Sequence, residues 1–235
     1  MSPESIRHPL TRALLVLTFS TGVIDAASFL GLGNVFTANM TGNVVLLGFG
    51  ISGAPGLPIL APLVSLASFF LGSVVGGRMA NRFPAEANHL SRSMQVEIGV
   101  LVAAIVWTLA VDVEPRHVSA GVAIAMLAFA LGVCNATVRR VEVADLSTTV
   151  LTMTLTALAA DSPLAGGDGQ GSWRRGGAVL AMLLGAVAGG LLVKAHLGAA
   201  IALAAVLALL TWLVFVPAAA AAEADSKPSR RPSGS

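Results

Sequence analysis

The chain of 235 residues is strongly apolar: 55% of its residues are hydrophobic, 11% are charged, and its mean hydropathy is +0.83. A soluble domain carries about 25% charged residues, so this composition excludes a disordered protein, a nucleic-acid reader and an ordinary cytosolic enzyme. In a membrane protein the slight basic excess of +2 indicates topology more than an acidic partner, and the single Cys134 excludes an internal disulfide. The composition therefore predicts an all-α membrane protein, since about 20 apolar residues span a hydrocarbon core of about 30 Å.

Residues 1–10 are predicted to be a cytoplasmic arm, and the apolar run after them is predicted to stay in the mature protein as its first helix. Residues 217–235, rich in Ala, Ser and Pro, are predicted to be a disordered cytoplasmic tail. Six segments between them are long enough to cross the membrane, at residues 11–30, 57–77, 94–111, 117–135, 176–194 and 198–216. Two shorter stretches, 35–51 and 146–160, could either span weakly or enter the membrane and turn back.

The distribution of basic residues favours six crossings. If all eight segments cross, the 14 Lys and Arg residues divide almost evenly between the two sides. If the two short stretches are re-entrant half-helices, only Arg116 and Lys194 lie outside. Because cytoplasmic loops hold the excess of Lys and Arg, the sequence predicts six transmembrane helices with both termini in the cytoplasm.

An internal repeat gives independent support. Residues 22–26 (GVIDA) recur as 132–136 (GVCNA), and residues 72–77 (GSVVGG) recur as 185–190 (GAVAGG). Between these pairs, two threonines recur at similar offsets: Thr37 and Thr41 match Thr148 and Thr152. With three crossings in each half, the second half enters from the opposite side. The prediction is a 3+3 inverted repeat of residues 11–112 and 113–216, a plan common among secondary transporters.

The same residues carry a family resemblance. The stretches 22–29 (GVIDAASF) and 35–43 (VFTANMTGN) closely resemble the signature of the YoaK-like family, a group of bacterial multi-pass membrane proteins catalogued as a domain of unknown function. The resemblance covers roughly residues 10–216. It implies a location in the bacterial inner membrane, and it supplies no substrate and no set of binding residues.

Asp25 is the first candidate for a functional residue. A charged side chain in the hydrocarbon region costs about 2.5–3.5 kcal/mol on insertion scales, so Asp25 is expected to face protein or water. It is either a structural polar contact to a neighbouring helix or a carboxylate linked to a proton or a substrate. The repeat places Asn135, its neutral isostere, at the equivalent position, as would suit an asymmetric site.

The other candidates surround the two short stretches. Asn39, Thr41 and Asn43 cluster around Gly42, where a broken helix would expose backbone N–H and C=O groups, although Asn and Thr are also ordinary helix-capping residues. The threonines of the second stretch could equally serve helix packing. Glu97 is a secondary candidate for a buried acid. The predicted substrate- or ion-binding set is Asp25, Thr37, Asn39, Thr41, Asn43, Asn135, Thr148, Thr149 and Thr152.

These features predict a secondary transporter or channel for a small solute or ion, with a polar site near the bilayer midplane between the two repeats. A membrane-embedded enzyme that uses Asp25 as acid or base, and a non-transporting scaffold or sensor, remain alternatives. No catalytic constellation, metal-ligand spacing or cofactor motif is evident. The expected partners are the lipid bilayer and a small-molecule or ion substrate, not nucleic acid, and self-association as a homo-oligomer is left open.

Overall fold

The computed structural model describes residues 9–83, 86–141, 151–218 and 221. Within these ranges the chain is helical and contains no strand. Its helices are α1 (Pro9–Gly31), α2 (Met40–Ile51), α3 (Leu60–Arg82), α4 (Glu86–Ala110), α5 (Val118–Val141), α6 (Leu151–Ala160), α7 (Ser172–Ala195) and α8 (Leu197–Leu210). A 3-10 turn at Pro163–Ala165 precedes α7, and a π-helical turn at Thr211–Phe215 extends α8. The predicted arm before residue 9, Thr148, Thr149 and nearly all of the predicted tail lie outside the described residues.

The six predicted crossings are confirmed as helices long and apolar enough to span a membrane: Thr11–Gly31, Leu60–Arg82, His89–Ala110, Val118–Arg139, Ser172–Ala195 and Leu197–Ala218. Several extend beyond the predicted bounds, because a helix continues through polar residues that lie past the apolar stretch. The two ambiguous stretches form the shorter apolar helices α2 and α6. In the first of them, residues 35–39 are irregular and the helix begins only at Met40.

Helices α1 and α7 lie side by side and run in the same direction. A Cβ added to Gly22 would collide with the backbone of Met182, one added to Gly185 with Phe19, and one added to Gly189 with Val23. From Phe19–Gly185 to Val23–Gly189 the contact advances by four residues along both helices, so the pair is parallel. Such close approach is typical of small residues at helix interfaces in membranes.

Helices α5 and α3 form a second parallel pair of the same kind. A Cβ on Gly132 would collide with the backbone of Phe69, and one on Gly72 with Phe129. Gly76 approaches the carbonyl oxygen of Val133 in the same way. Each of these residues corresponds, at the offsets of the sequence repeat, to a residue of the α1–α7 contact.

The loops define two faces of the bundle. One face lies at the C-terminal end of α1, and we call it the Arg116 face. Gly33 lies against Arg116 there, and Arg116 Nη2 donates a hydrogen bond to the Gly56 carbonyl oxygen at 2.6 Å. The end where α1 begins is the Arg12 face. Trp212 Nε1 donates to Ser91 Oγ at 2.9 Å there, which brings the end of the last helix beside the start of α4. Gly33, before α2, and Gly56, after it, therefore both lie beside Arg116.

The core lies between α1 and α5, which are the most buried of the six long helices, and α4 and α8. Ile24, Leu101, Leu127 and Ile201 are fully buried there. The outward surface of α3 and α7 is apolar, with exposed side chains at Phe70, Leu71, Leu180, Leu183, Leu184, Val187 and Leu191. An apolar outer surface around a buried core is what a lipid environment requires.

Candidate functional site

The Asp25 carboxylate binds the irregular link between α1 and α2. Its Oδ1 accepts hydrogen bonds from the backbone N–H of Thr37 at 3.0 Å and of Ala38 at 2.8 Å. Asp25 lies less than two turns before the end of α1 and is buried, so the link folds back into the bundle to reach it. The carboxylate thus supplies the acceptor that two backbone donors would otherwise lack.

The Asn43 side chain binds the backbone of Phe36, the residue before Thr37, in a similar way. Its Oδ1 accepts from the Phe36 N–H at 2.9 Å, and its Nδ2 donates to the Phe36 carbonyl oxygen at 2.7 Å and to Ser65 Oγ at 3.0 Å. Ser65 of α3 also donates to the Phe36 carbonyl oxygen, at 2.7 Å. Asn43 is completely buried, so this network ties α2, α3 and the link together inside the bundle.

The remaining residues of the first predicted cluster divide into two groups. Thr37 is buried, and its hydroxyl lies 3.4 Å from Ser28 Oγ of α1. Asn39 caps α2 by accepting from the Gly42 N–H at 3.1 Å, and both Asn39 and Thr41 are exposed. The backbone N–H groups of residues 36, 37, 38 and 42, around the helix break, are therefore bound by side-chain oxygens.

The second carboxylate oxygen of Asp25, Oδ2, does not share the hydrogen bonds of Oδ1. Oδ2 is buried and has no hydrogen-bond partner within the described part of the chain. No Lys or Arg occurs in the sequence between Arg12 and Arg78, where Asp25 is the sole charged residue. A buried carboxylate with one free oxygen and no nearby basic residue in sequence is costly unless a proton or a cation accompanies it.

The second predicted cluster is only partly described. Asn135 is half-buried in α5, and its Nδ2 donates to the Leu131 carbonyl oxygen at 2.9 Å. Thr152 is exposed near the start of α6, and its carbonyl oxygen accepts from Thr156 Oγ1 at 2.9 Å. The proposed convergence of both clusters on one site stays a prediction, because Thr148 and Thr149 lie beyond the residues that can be placed.

Glu97, the secondary candidate, proves to be as buried as Asp25. It lies in α4 with 1% of its surface exposed, its carboxyl interacts with the Cys134 thiol of α5, and its Oε2 has no partner among the described residues. Ser93, one turn earlier, is equally buried, and its hydroxyl is likewise without a partner there. The i, i+4 spacing of Ser93 and Glu97 in the sequence is a signal that could have identified this pair.

Arg174 and Arg175, which in the sequence contribute only to the charge distribution, are both buried at the start of α7. Arg175 NH1 donates to the Ala157 carbonyl oxygen at 3.0 Å and pairs with Asp161 Oδ2 at 2.7 Å, which fixes the C-terminal end of α6 to α7. The arginines and the glycine-rich loop 166–171 line an open cleft of about 990 Å³. This cleft lies at the Arg12 face, away from Asp25. Among the described residues no group of three or more His, Cys, Asp or Glu could hold a metal ion.

Comparison with known proteins gives two findings. The chain matches the family described as "Protein of unknown function (DUF1275)" over residues 13–214. It is also 32% identical, over 162 residues, to the UPF0700 transmembrane protein YoaK of Bacillus subtilis (strain 168), a match that covers 68% of this chain and 69% of that protein. No solved structure matches the chain.

Proposed function

We propose that this chain, which belongs to the DUF1275 family and is a multi-pass membrane protein, is a secondary transporter or channel for a small solute or ion. Its site would lie between the two halves, where Asp25 meets the α1–α2 link. The predicted polar residues Thr37, Asn39, Thr41 and Asn43 would contribute from the first half, and Asn135, Thr148, Thr149 and Thr152 from the second.

The observation that carries this proposal is the buried Oδ2 of Asp25, which has no hydrogen-bond partner within the residues that the structure describes. Oδ1 holds the link in place, so the carboxylate has one structural oxygen and one that is available to a proton, a cation or a solute donor. Ionisable groups inside membranes mark ion and substrate pathways. Irregular backbone at membrane depth is tolerated where it is enclosed by protein or lines a cavity.

The helix directions support a re-entrant α2. Gly33 before this helix and Gly56 after it both contact Arg116, so the chain enters and returns on one face. This places the end of α1 and the start of α3 on the same face, so these two helices run in opposite directions, and their parallel partners α7 and α5 follow them, as six alternating crossings require. The Arg12 face carries more basic residues, namely Arg12, Arg78, Arg82, Arg92, Arg139, Arg174 and Arg175. We therefore assign it to the cytoplasm, with both termini there and the protein in the inner membrane.

The glycine contacts support the inverted repeat. Gly22 of α1 packs on α7 as Gly132 of α5 packs on α3, and the partners Met182 and Phe69 are equivalent at the repeat offset. The equivalent helices α1 and α5 run in opposite directions. A pseudo-two-fold axis in the membrane plane would produce this arrangement and would place a shared site near the midplane.

The function is tested first by naming a solute. Growth and metabolite profiling of a deletion strain nominates candidates, and each is then measured for uptake into proteoliposomes of the purified protein under an imposed proton gradient. We expect Asp25→Asn to abolish proton-linked uptake and to retain solute exchange. Asp112→Asn, the same change at an exposed acid in the α4–α5 link, is the matched control and should transport normally. Wild-type uptake by Asp25→Asn with unchanged pH dependence would make Asp25 a purely structural contact.

Water access is tested separately, with Cys134 replaced by Ala. Single cysteines at the polar positions Asn39, Thr41, Thr149 and Thr152 should react with small aqueous thiol reagents, whereas cysteines at Leu66 and Leu183 should not. Uniform protection at the polar positions would favour helix packing over a pathway. Conversion of a nominated compound by the protein in detergent, where no compartments exist, would instead identify the membrane-embedded enzyme.

A further inference from the structure

A second buried polar group lies on α4, away from the α1–α2 link. His89, Ser93 and Glu97 follow one another at intervals of four residues, so they lie on one side of the helix. All three are buried, with 2%, 1% and 1% of their surfaces exposed, so this side faces the bundle rather than lipid. The polar row ends at Glu97, because the next residues on that side, Leu101 and Ala104, are apolar and fully buried.

The position of Glu97 along α4 shows to which face the row of polar side chains leads. Glu97 is 11 residues from the beginning of α4, about 16 Å at 1.5 Å per residue, and it therefore lies near the middle of the span. His89 and Ser93 lie between it and the Arg12 face. Leu101 and Ala104 lie between it and the Arg116 face. Along the described residues of α4, polar side chains thus lead to Glu97 from the Arg12 face.

Among the described residues, no Lys or Arg faces this carboxyl. Helix α4 packs against α5, against α8 with its π-helical turn, and slightly against α3. From α5 the titratable neighbour is Cys134, whose thiol interacts with the Glu97 carboxyl. The sequence of α8 and its turn, residues 197–215, contains no titratable side chain. The basic residues of α3, Arg78 and Arg82, and Arg139 of α5 are exposed near the Arg12 face, as is Arg92 of α4 itself.

The ligands available at Glu97 distinguish between a metal cation and a proton. Hard cations require many oxygen ligands, six to eight for Ca²⁺. The Glu97 carboxyl and the Ser93 hydroxyl offer three oxygens, and the third neighbour, Cys134, offers sulfur, which hard cations disfavour. A carboxyl that is buried at this depth without a basic partner is instead accommodated by binding a proton.

We propose that Glu97 is a proton-binding site, in contact with the Cys134 thiol, and that it exchanges its proton with the Arg12 face along the row of Ser93 and His89. The proposal is independent of the transport function and of Asp25. Deprotonation moves one proton from the Glu97 carboxyl to solvent, and the carboxylate that remains becomes a stronger acceptor for the Cys134 S–H group.

Cys134 is the only cysteine of the chain, and it makes this reaction observable. Its S–H stretching vibration lies in an infrared region free of other protein bands, and its frequency falls when the acceptor becomes charged. Infrared spectra of the purified wild-type protein are recorded from mildly acidic to mildly alkaline pH. We expect the carbonyl band of a protonated carboxyl to disappear and the S–H band to shift over the same pH range. Cys134→Ala should remove the S–H band and so confirm its assignment.

Three substitutions test whether Glu97 or Asp25 is the acid that titrates. In Glu97→Gln the S–H band should remain and lose its pH dependence, whereas Asp25→Asn should retain the coupled changes of both bands. Glu97→Asp, which keeps an acid and withdraws it from the thiol, should retain a titrating carboxyl with a smaller S–H shift. The proposal is overturned by an S–H band that does not respond to pH in the wild type, by a coupled change that survives Glu97→Gln, or by one that vanishes in Asp25→Asn.

Discussion

Replacing Asp25 by Leu tests whether its carboxylate holds the α1–α2 link. Leu has the same branched arrangement of side-chain heavy atoms and no acceptor, so the N–H groups of Thr37 and Ala38 would be left buried and unpaired. Each such group costs about 1–3 kcal/mol, and the two together should lower the free energy of unfolding by about 2–6 kcal/mol. In Asp25→Asn the side-chain oxygen still accepts from both groups, so this variant should lose much less.

The measurement is reversible unfolding in mixed micelles by titration with a denaturing detergent, followed by circular dichroism. Thr21→Val is the matched control, because Thr21 is a buried polar residue one turn away whose hydroxyl donates only to the Leu17 carbonyl oxygen of its own helix, at 2.9 Å. Its removal orphans no N–H group and should cost less than Asp25→Leu. If Asp25→Leu unfolds no more easily than Thr21→Val, the carboxylate does not hold the link.

Two further predictions concern topology and packing. Reporter domains fused after Arg82 and after Arg140 should both report cytoplasm and one fused after Arg116 should report periplasm; a periplasmic signal at Arg82 would restore eight full crossings. Gly185→Ala should destabilise the protein by about 1–3 kcal/mol, because a Cβ there meets the backbone of Phe19, whereas Gly48→Ala, where a Cβ meets nothing, should be neutral or slightly stabilising in the same unfolding assay. Equal effects of the two substitutions would contradict the tight contact between α1 and α7.

The architecture was predictable from the sequence because hydropathy and length dominate in a membrane. Six apolar segments predicted the long helices, and the short apolar run of residues 44–51 agrees with the shorter helix α2. Helix ends were less predictable. Helix α3, for example, continues to Arg82 although its apolar run ends at Gly77, since backbone hydrogen bonding does not stop where hydropathy does.

The site was predictable in composition and not in geometry. Asp25 and Asn43 were identified as candidates, but which backbone groups they bind depends on the link folding back into the bundle, a tertiary effect without a local signature. Glu97 was only a secondary candidate, because the sequence alone does not show which residues surround it. Its burial with Ser93 and its contact with Cys134 arise from the packing of α4 on α5, which a single sequence does not specify.

The close contacts of α1 with α7 have a consequence for how the protein is made. A ribosome delivers α1 to the membrane long before α7, yet the surface around Gly22 finds its partner, at Met182, only in the second half of the chain. Until α7 is inserted, the side of α1 that contains Gly22 is therefore covered by lipid or by an insertion factor. The close glycine contacts join helices of different halves, α1 with α7 and α3 with α5. Assembly is therefore complete only after residues 172–195 have been inserted. A chain truncated before them would contain four of the six long apolar helices and still lack the helix against which its first one packs.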